Sequence, residues 1–301
     1  MKQYQTPKDV TNPIILFGTG RSGTTILNEV LFRHGDIAFP SQYNNRFPHI
    51  LSVNYIRYVF DNPLWRVHGK STAVHGTSFL DNIIFKPVEA YDLWRFLTRP
   101  EIDFPKNFLM NQKADARQGS FIRQYAAKCT RKQGRKRFAC KITGPSRIGF
   151  LLSIFPDAKF VRILRNPVPV ISSFLKVDFW QDRATRLWWK GAYSDAELET
   201  VRAFDGDPLL FTAFQVKKLM DVTDAEIKQH SPDLLTVRYE SFVLNPAQVA
   251  TDVFGFLELP EDRACIDYLA ANQIVDRNRP DESYFCKEEL KKNYQILEKK
   301  P

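Results

Sequence analysis

The sequence predicts an α/β protein built on a central parallel sheet with helical insertions. Three observations carry this. The apolar run Pro13 to Phe17 breaks into Gly18-Thr19-Gly20-Arg21-Ser22-Gly23-Thr24-Thr25, the pattern of a buried strand that turns sharply and opens a helix. Three further short strands are predicted at Phe138 to Ile142, Phe160 to Leu164 and Leu234 to Arg238, each followed by a helical period. Strands alternating with helices are joined most economically as a parallel sheet with crossovers. Finally, 44% of the 301 residues are apolar, enough to bury a full core in one large domain, although length alone suggests about two.

In chain order, Ile26, Leu27, Val30 and Leu31 share one helical face after the first turn, and Gly35 is placed to end that helix in the left-handed conformation. Between Ser41 and Arg135 the period loosens, with scattered aromatics and prolines at 48, 63, 87, 100 and 105, which reads as helical and loop insertions. Pro167 suits a first helical turn, where its missing N–H has no partner to lose. Asp207-Pro208 and Asn245-Pro246 read as N-cap and N1 pairs, the second opening a helix with Val249, Val253, Phe256 and Leu257 on its apolar face. Lys287 to Lys300 reads as an exposed helix face.

The first turn is an anion cradle. Backbone N–H groups in such a turn and at a helix start have no internal partners, so they converge on a phosphate with help from the helix dipole. A nucleotide triphosphatase loop needs lysine directly after its last glycine. Here Gly18 and Gly23 have the spacing, but Thr24 stands in the lysine position and the cation is Arg21, inside the turn. A P-loop kinase or nucleotide-binding protein stays open as an alternative, marked by a magnesium requirement. Gly18-x-Gly20-x-x-Gly23 also fits the dinucleotide pattern, yet the acidic residue expected about 20 positions on is replaced by Phe39-Pro40-Ser41-Gln42-Tyr43.

A second anion site is legible downstream. Arg165 ends a strand, Asn166-Pro167 opens a helix, and Ser173 follows eight residues after Arg165. The Arg-Ser-Gly-Thr-Thr turn resembles the 5′-phosphosulfate loop of sulfotransferases that use 3′-phosphoadenylyl sulfate (PAPS), and the Arg165 to Ser173 spacing resembles their 3′-phosphate motif. Lys141 to Arg147, Phe155 to Ala158, Pro87 to Arg95 and Val237 to Glu240 resemble a bacterial branch of that superfamily. The resemblance implies a P-loop-like three-layer fold and a single domain over 1–301, with 41–135 as an acceptor-binding insertion. It implies transfer of a sulfuryl group from PAPS to an acceptor hydroxyl or amine, with release of adenosine 3′,5′-bisphosphate. Cofactor contacts are then expected from Gly20, Arg21, Ser22, Gly23, Thr24, Thr25, Arg165, Ser173 and Arg277, the last beside Arg279 in a basic C-terminal loop, and no metal is expected.

Sulfuryl transfer resembles phosphoryl transfer, in which catalysis is mostly positioning and charge stabilisation. Arg21, always protonated and able to fork across two oxygens, is the first catalytic candidate. Lys141 is the second, because a lysine at the end of this strand resembles one that faces the sulfate in the family; a surface lysine is the plain alternative. The general base does not carry over. Thr143 stands where cytosolic sulfotransferases have histidine, and Ser41-Gln42-Tyr43 stands where tyrosylprotein sulfotransferases have glutamate. Glu89 becomes the candidate base, against an ion pair with Arg95, and His75 and His49 are the fallbacks. Arg46 is a candidate acceptor contact, and Trp188-Trp189-Lys190 a candidate pocket wall.

No stretch approaches the roughly 20 apolar residues of a membrane span, and the N-terminus lacks a signal-peptide core; a cytoplasmic protein is expected. The cysteines at 129, 140, 265 and 286 have no C-x-x-C spacing and the five histidines no ligand spacing. The net charge of +9, with Lys128, Arg131, Lys132, Arg135, Lys136 and Arg137 in one stretch, raises a non-catalytic anion or nucleic-acid binding module as a further alternative. That run reads as a solvated loop without interleaved aromatics. No nucleic-acid partner is expected, and the acceptor is a small molecule, a carbohydrate or a lipid.

Overall fold

The computed structural model describes residues 9–61, 84–272 and 274. Strand β1 (Ile14–Gly18) leads into α1 (Thr24–Leu31), followed by β2 (Ile37–Ala38), α2 (Gln42–Arg46), a 3-10 turn at Leu51–Ile56, α3 (Arg57–Phe60), α4 (Tyr91–Leu97) and α5 (Ala116–Lys132). Next come β3 (Arg137–Thr143), α6 (Ile148–Ile154), β4 (Lys159–Leu164), α7 (Pro167–Leu175), α8 (Asp178–Gln181), α9 (Asp195–Arg202) and α10 (Pro208–His230). Strand β5 (Asp233–Arg238), α11 (Tyr239–Leu244), α12 (Pro246–Phe256) and α13 (Arg263–Ala271) complete the described elements.

All strand pairs are parallel, in the order β2-β3-β1-β4-β5. The three predicted later strands lie within one residue of their observed ends. Every residue of β1 is buried, and the two-residue alternation of a strand sorts its side chains between two cores. Ile15 and Phe17 join Phe138, Cys140, Ile142 and Phe160 beneath α4, α5 and α6. Ile14 and Leu16 join Ala139, Val161, Ile163 and Val237 beneath α1, α11, α12 and α13. Helices on both faces of a parallel sheet make the three-layer α/β fold. A third cluster joins Val170, Ile171 and Phe174 of α7 to Val216 and Leu219 of α10, with Trp180 and Trp189 between. Burial pushes the Cys129 and Cys140 thiols up to about 12, so both are protonated, inert core residues.

The proline pairs act as expected. Asn166 accepts from the Val168 N–H with Pro167 in the first turn, Asp207 accepts from Leu209 and Leu210, and Asn245 accepts from Gln248.

Two local expectations are corrected. Helix α1 ends at Leu31 rather than at Gly35, because the chain tightens there, with Arg33 N–H on Val30 and His34 N–H on Leu31. Gly35 is not left-handed; its N–H donates to the Asp262 carboxylate at the cap of α13. The candidate wall Trp188-Trp189-Lys190 is irregular backbone; Trp189 lies against Gly144, and Lys190 bridges to Asn107. The basic run is not a loop: Lys128, Arg131 and Lys132 form the end of α5, where cations complement the helix dipole, while Arg135 and Lys136 pair with Asp61 and Asp36.

Candidate functional site

Beyond Gly18 the backbone closes a tight turn. Arg21 and Gly23 have φ of 66° and 96°, and Ser22 Oγ donates to the Thr19 carbonyl at 2.6 Å. A Cβ at Gly20 would meet the Phe174 ring at 2.7 Å, and one at Gly23 the Tyr239 ring at 2.4 Å. Gly23→Ala is therefore expected to cost about 1–2 kcal/mol from its left-handed backbone alone, and more from the ring; urea unfolding measures it. Helix α1 then begins with no side-chain cap and no acidic residue in its first turn. Its leading N–H groups, the adjacent Thr24 and Thr25 and the cation Arg21 make a donor-rich mouth that fits a phosphate.

The downstream motif folds onto this turn. Arg21 Nε donates to Ser173 Oγ at 2.9 Å, and Arg165 Nη1 donates to the Arg21 carbonyl at 2.8 Å. The Arg165 guanidinium lies over the Tyr239 ring at 4.3 Å, the ring that packs against Gly23. Two segments more than a hundred residues apart thus meet at the C-terminal edge of neighbouring strands β1 and β4, where open parallel sheets bind ligands.

On the other side of β1, Lys141 is paired in register with Leu16, and Thr143 with Gly18. Lys141 is therefore inside β3 rather than at its end, and it is 5% exposed, not a surface lysine. Its Nζ lies 3.5 Å from Glu89 Oε1, a carboxylate with 29% of its side chain exposed. Arg95, the partner weighed for Glu89, pairs with Asp92 and Asp103 instead. Tyr91 donates to the Thr143 carbonyl at 2.8 Å and lies 2.9 Å from Thr143 Oγ1. Burial, reinforced by the Glu89 charge, raises the Tyr91 phenol, which stays protonated and holds Thr143.

His49 stands apart, edge-on to Phe96, and Arg46 is exposed over Phe47. His75, Arg277, Arg279, Cys286 and the Lys-rich tail lie outside the described residues. Among the described residues no cluster of three or more His, Cys, Asp or Glu could hold a metal.

A family model for the sulfotransferase family matches residues 13–263. The chain belongs to the sulfotransferase family. Among solved structures, this family member resembles sulfotransferase STF9 from Mycobacterium avium, at TM-score 0.55 and 16% identity over 95% of this chain and 76% of that one. It also resembles the sulfotransferase domain from the curacin biosynthetic pathway, at TM-score 0.51 and 14% identity over 97% of this chain and 99% of that one. At these identities the likeness is one of fold. No curated protein matches.

Around the mouth of this sulfotransferase-family chain stand residues that motif spacing did not single out. Phe174 and Tyr239 wall the turn, and Glu240 accepts from the Asn166 N–H; Tyr239 and Glu240 lie in a block with family likeness, which was the available signal. Arg147, the last residue of another such block, is fully buried and donates to the carbonyls of Asn107, Pro145 and Pro105.

Proposed function

We propose that the protein transfers the sulfuryl group of PAPS to an acceptor hydroxyl or amine and releases adenosine 3′,5′-bisphosphate. The observation that carries this reading is the junction of the two anion motifs: Arg21 on Ser173, and Arg165 on the Arg21 carbonyl. Neither contact serves a generic P-loop, which needs a lysine where Thr24 is buried. Bound PAPS would supply a sulfuryl group already activated on a phosphate leaving group.

In this reading the turn N–H groups from Gly20 to Thr25 and the threonine hydroxyls hold the 5′-phosphate. Arg165 and Ser173 hold the 3′-phosphate, with Arg277 as a third contact. Arg21 and Lys141 stabilise charge on the departing oxygen; donors aimed at developing charge in a sheltered site are commonly the largest catalytic contribution. Glu89, beside Lys141 and partly open to solvent, takes the proton of the acceptor, with His75 as the second candidate. Residues 41–135 surround the acceptor, a small molecule, carbohydrate or lipid. No described helix is long and apolar enough to cross a membrane, and we read the protein as cytoplasmic.

The test is chromatographic detection of adenosine 3′,5′-bisphosphate after mixing PAPS with alcohols, phenols, saccharides and lipid headgroups. Acceptor-dependent release without magnesium is the expected result. Phosphoryl transfer from magnesium-ATP, with none from PAPS, contradicts the reading.

A further inference from the structure

Helix α5 has two faces. Inward, Ile122, Tyr125, Ala126 and Cys129 enter the core. Outward, Arg117, Phe121, Gln124, Lys128 and Arg131 are all exposed, at alternating spacings of four and three that align them in one stripe. The helix carries five basic residues and no acidic one. Segment 41–60, which packs beside it, adds the exposed Arg46 and again no acidic residue; its other arginine, Arg57, is buried and donates to the Ile37 carbonyl and Gln133. Arg135 and Lys136 are neutralised by Asp61 and Asp36, whereas no ion pair holds Lys128, Arg131 or Lys132 among the described residues.

This basic stripe is bordered by exposed apolar side chains. Phe47, Ile50, Tyr55, Tyr58 and Val59 are 42% to 73% exposed, and Phe121 is 44% exposed. Contacts tie the two sets together: Lys132 Nζ lies 3.4 Å from Tyr55 Oη and 4.6 Å from its ring centroid. Phe121 meets Phe96 edge-on at 5.9 Å, and Phe96 meets His49 at 4.4 Å. Five large apolar side chains exposed within so short a segment mark an interaction surface, and Lys128, Arg131 and Lys132 at the end of α5, outside any ion pair among the described residues, fix the sign of the partner.

We propose that this face docks on an anionic membrane surface, with Lys128, Arg131 and Lys132 against lipid phosphates and Ile50, Val59 and the tyrosines in the headgroup boundary. Charge alone would suit RNA equally. The apolar half separates the two: single-stranded nucleic acid stacks its bases on π faces, but Tyr55 and Tyr58 stack on each other at 6.4 Å. The most exposed member is the branched aliphatic Val59, at 73%. Branched aliphatics interleaved with cations and tyrosines gain by leaving water for the acyl boundary. The inference is independent of the proposed donor and reaction.

The experiment is cosedimentation of the full chain with phosphatidylcholine vesicles, with and without phosphatidylglycerol, across a salt series. The expected result is binding to the anionic vesicles alone, weakening with salt. One basic residue near such a surface is worth about fivefold in affinity, so Lys128→Gln/Arg131→Gln/Lys132→Gln should weaken binding by about a hundredfold. Ile50→Ser/Val59→Ser should weaken it by tenfold or more through the roughly 25 cal/mol per Å² lost at each apolar contact. All five positions are solvent-facing or half-buried, and unchanged melting temperatures check that the fold is intact. Absence of binding by the wild type, indifference to Ile50→Ser/Val59→Ser, or full displacement of vesicles by single-stranded RNA would overturn the inference.

Discussion

Lys141→Met is expected to lower kcat by about 10²–10³-fold, the usual effect of removing one donor from a charge-stabilising site, while the protein stays folded. Met fills nearly the same volume inside β3, and the partner it abandons, Glu89, is partly solvated, so no carboxylate is stranded in the core. Glu89→Gln separates proton transfer from ion pairing. If the carboxylate accepts the acceptor's proton, kcat falls and the acid limb of the pH–rate profile disappears. If Glu89 only holds Lys141 in place, the limb survives and the two substitutions are strongly non-additive. Steady-state kinetics with saturating PAPS reads both, and an unchanged kcat in Lys141→Met contradicts the assignment.

Glu226→Ala is expected to destabilise the fold by about 3–5 kcal/mol, because it leaves several buried donors unsatisfied at about 1–3 kcal/mol each. Glu226 is 2% exposed near the C-terminal end of α10. Its carboxylate accepts from Ser146 Oγ at 2.5 Å and from the N–H groups of Ile148 and Gly149 at 3.2 Å, so one helix caps the start of another, α6. The adjacent Arg147 has a left-handed backbone with φ of 54°, and its guanidinium lies 4.5 Å over the Phe104 ring. Burial brings the guanidinium down to about 10, against the opposing pull of Tyr91, Glu226 and Asp103, so it remains charged at neutral pH. Removing Glu226 leaves two helix N–H groups unpaired and this cation less compensated. At about 2–4 °C per kcal/mol for a chain of this size class, thermal unfolding should fall by about 10 °C. A loss under about 2 °C would show that the cap carries little of the packing between α6 and α10.

The contrast between these two residues indicates what was legible. Both anion motifs were readable because their chemistry is local: Gly18 to Thr25 and Arg165 to Ser173 each combine a strand end, a turn and a helix start in a few residues. Their convergence was foreseeable only through family likeness, since the Arg21 to Ser173 contact depends on the strand order, with β4 beside β1. Lys141 and Glu89 were named separately, but their pairing depends on how the chain before α4 returns to β3, which no spacing encodes. Glu226 carries no local signal; an acid within a long helix looks like a solvated position until α6 is laid against it. The basic run reads as a loop because the inner face of α5 includes Gln118, Gly119 and Thr130 beside Ile122 and Tyr125, which blurs the apolar period. Gly35 misled for a related reason: the helix stop is made by tightened backbone bonds at Arg33 and His34, not by a left-handed glycine.

The central claim is that the joined Arg21, Ser173 and Arg165 cluster binds a 3′-phosphorylated adenylate. Thermal unfolding of wild type and Arg165→Ala, each with adenosine 3′,5′-bisphosphate, with magnesium-ATP and without ligand, tests it most directly. At a hundredfold excess over the dissociation constant a ligand stabilises by about 2.7 kcal/mol. The bisphosphate should therefore raise the wild-type midpoint without magnesium and leave Arg165→Ala unmoved. Stabilisation by magnesium-ATP alone, or an undiminished bisphosphate shift in Arg165→Ala, would contradict the claim.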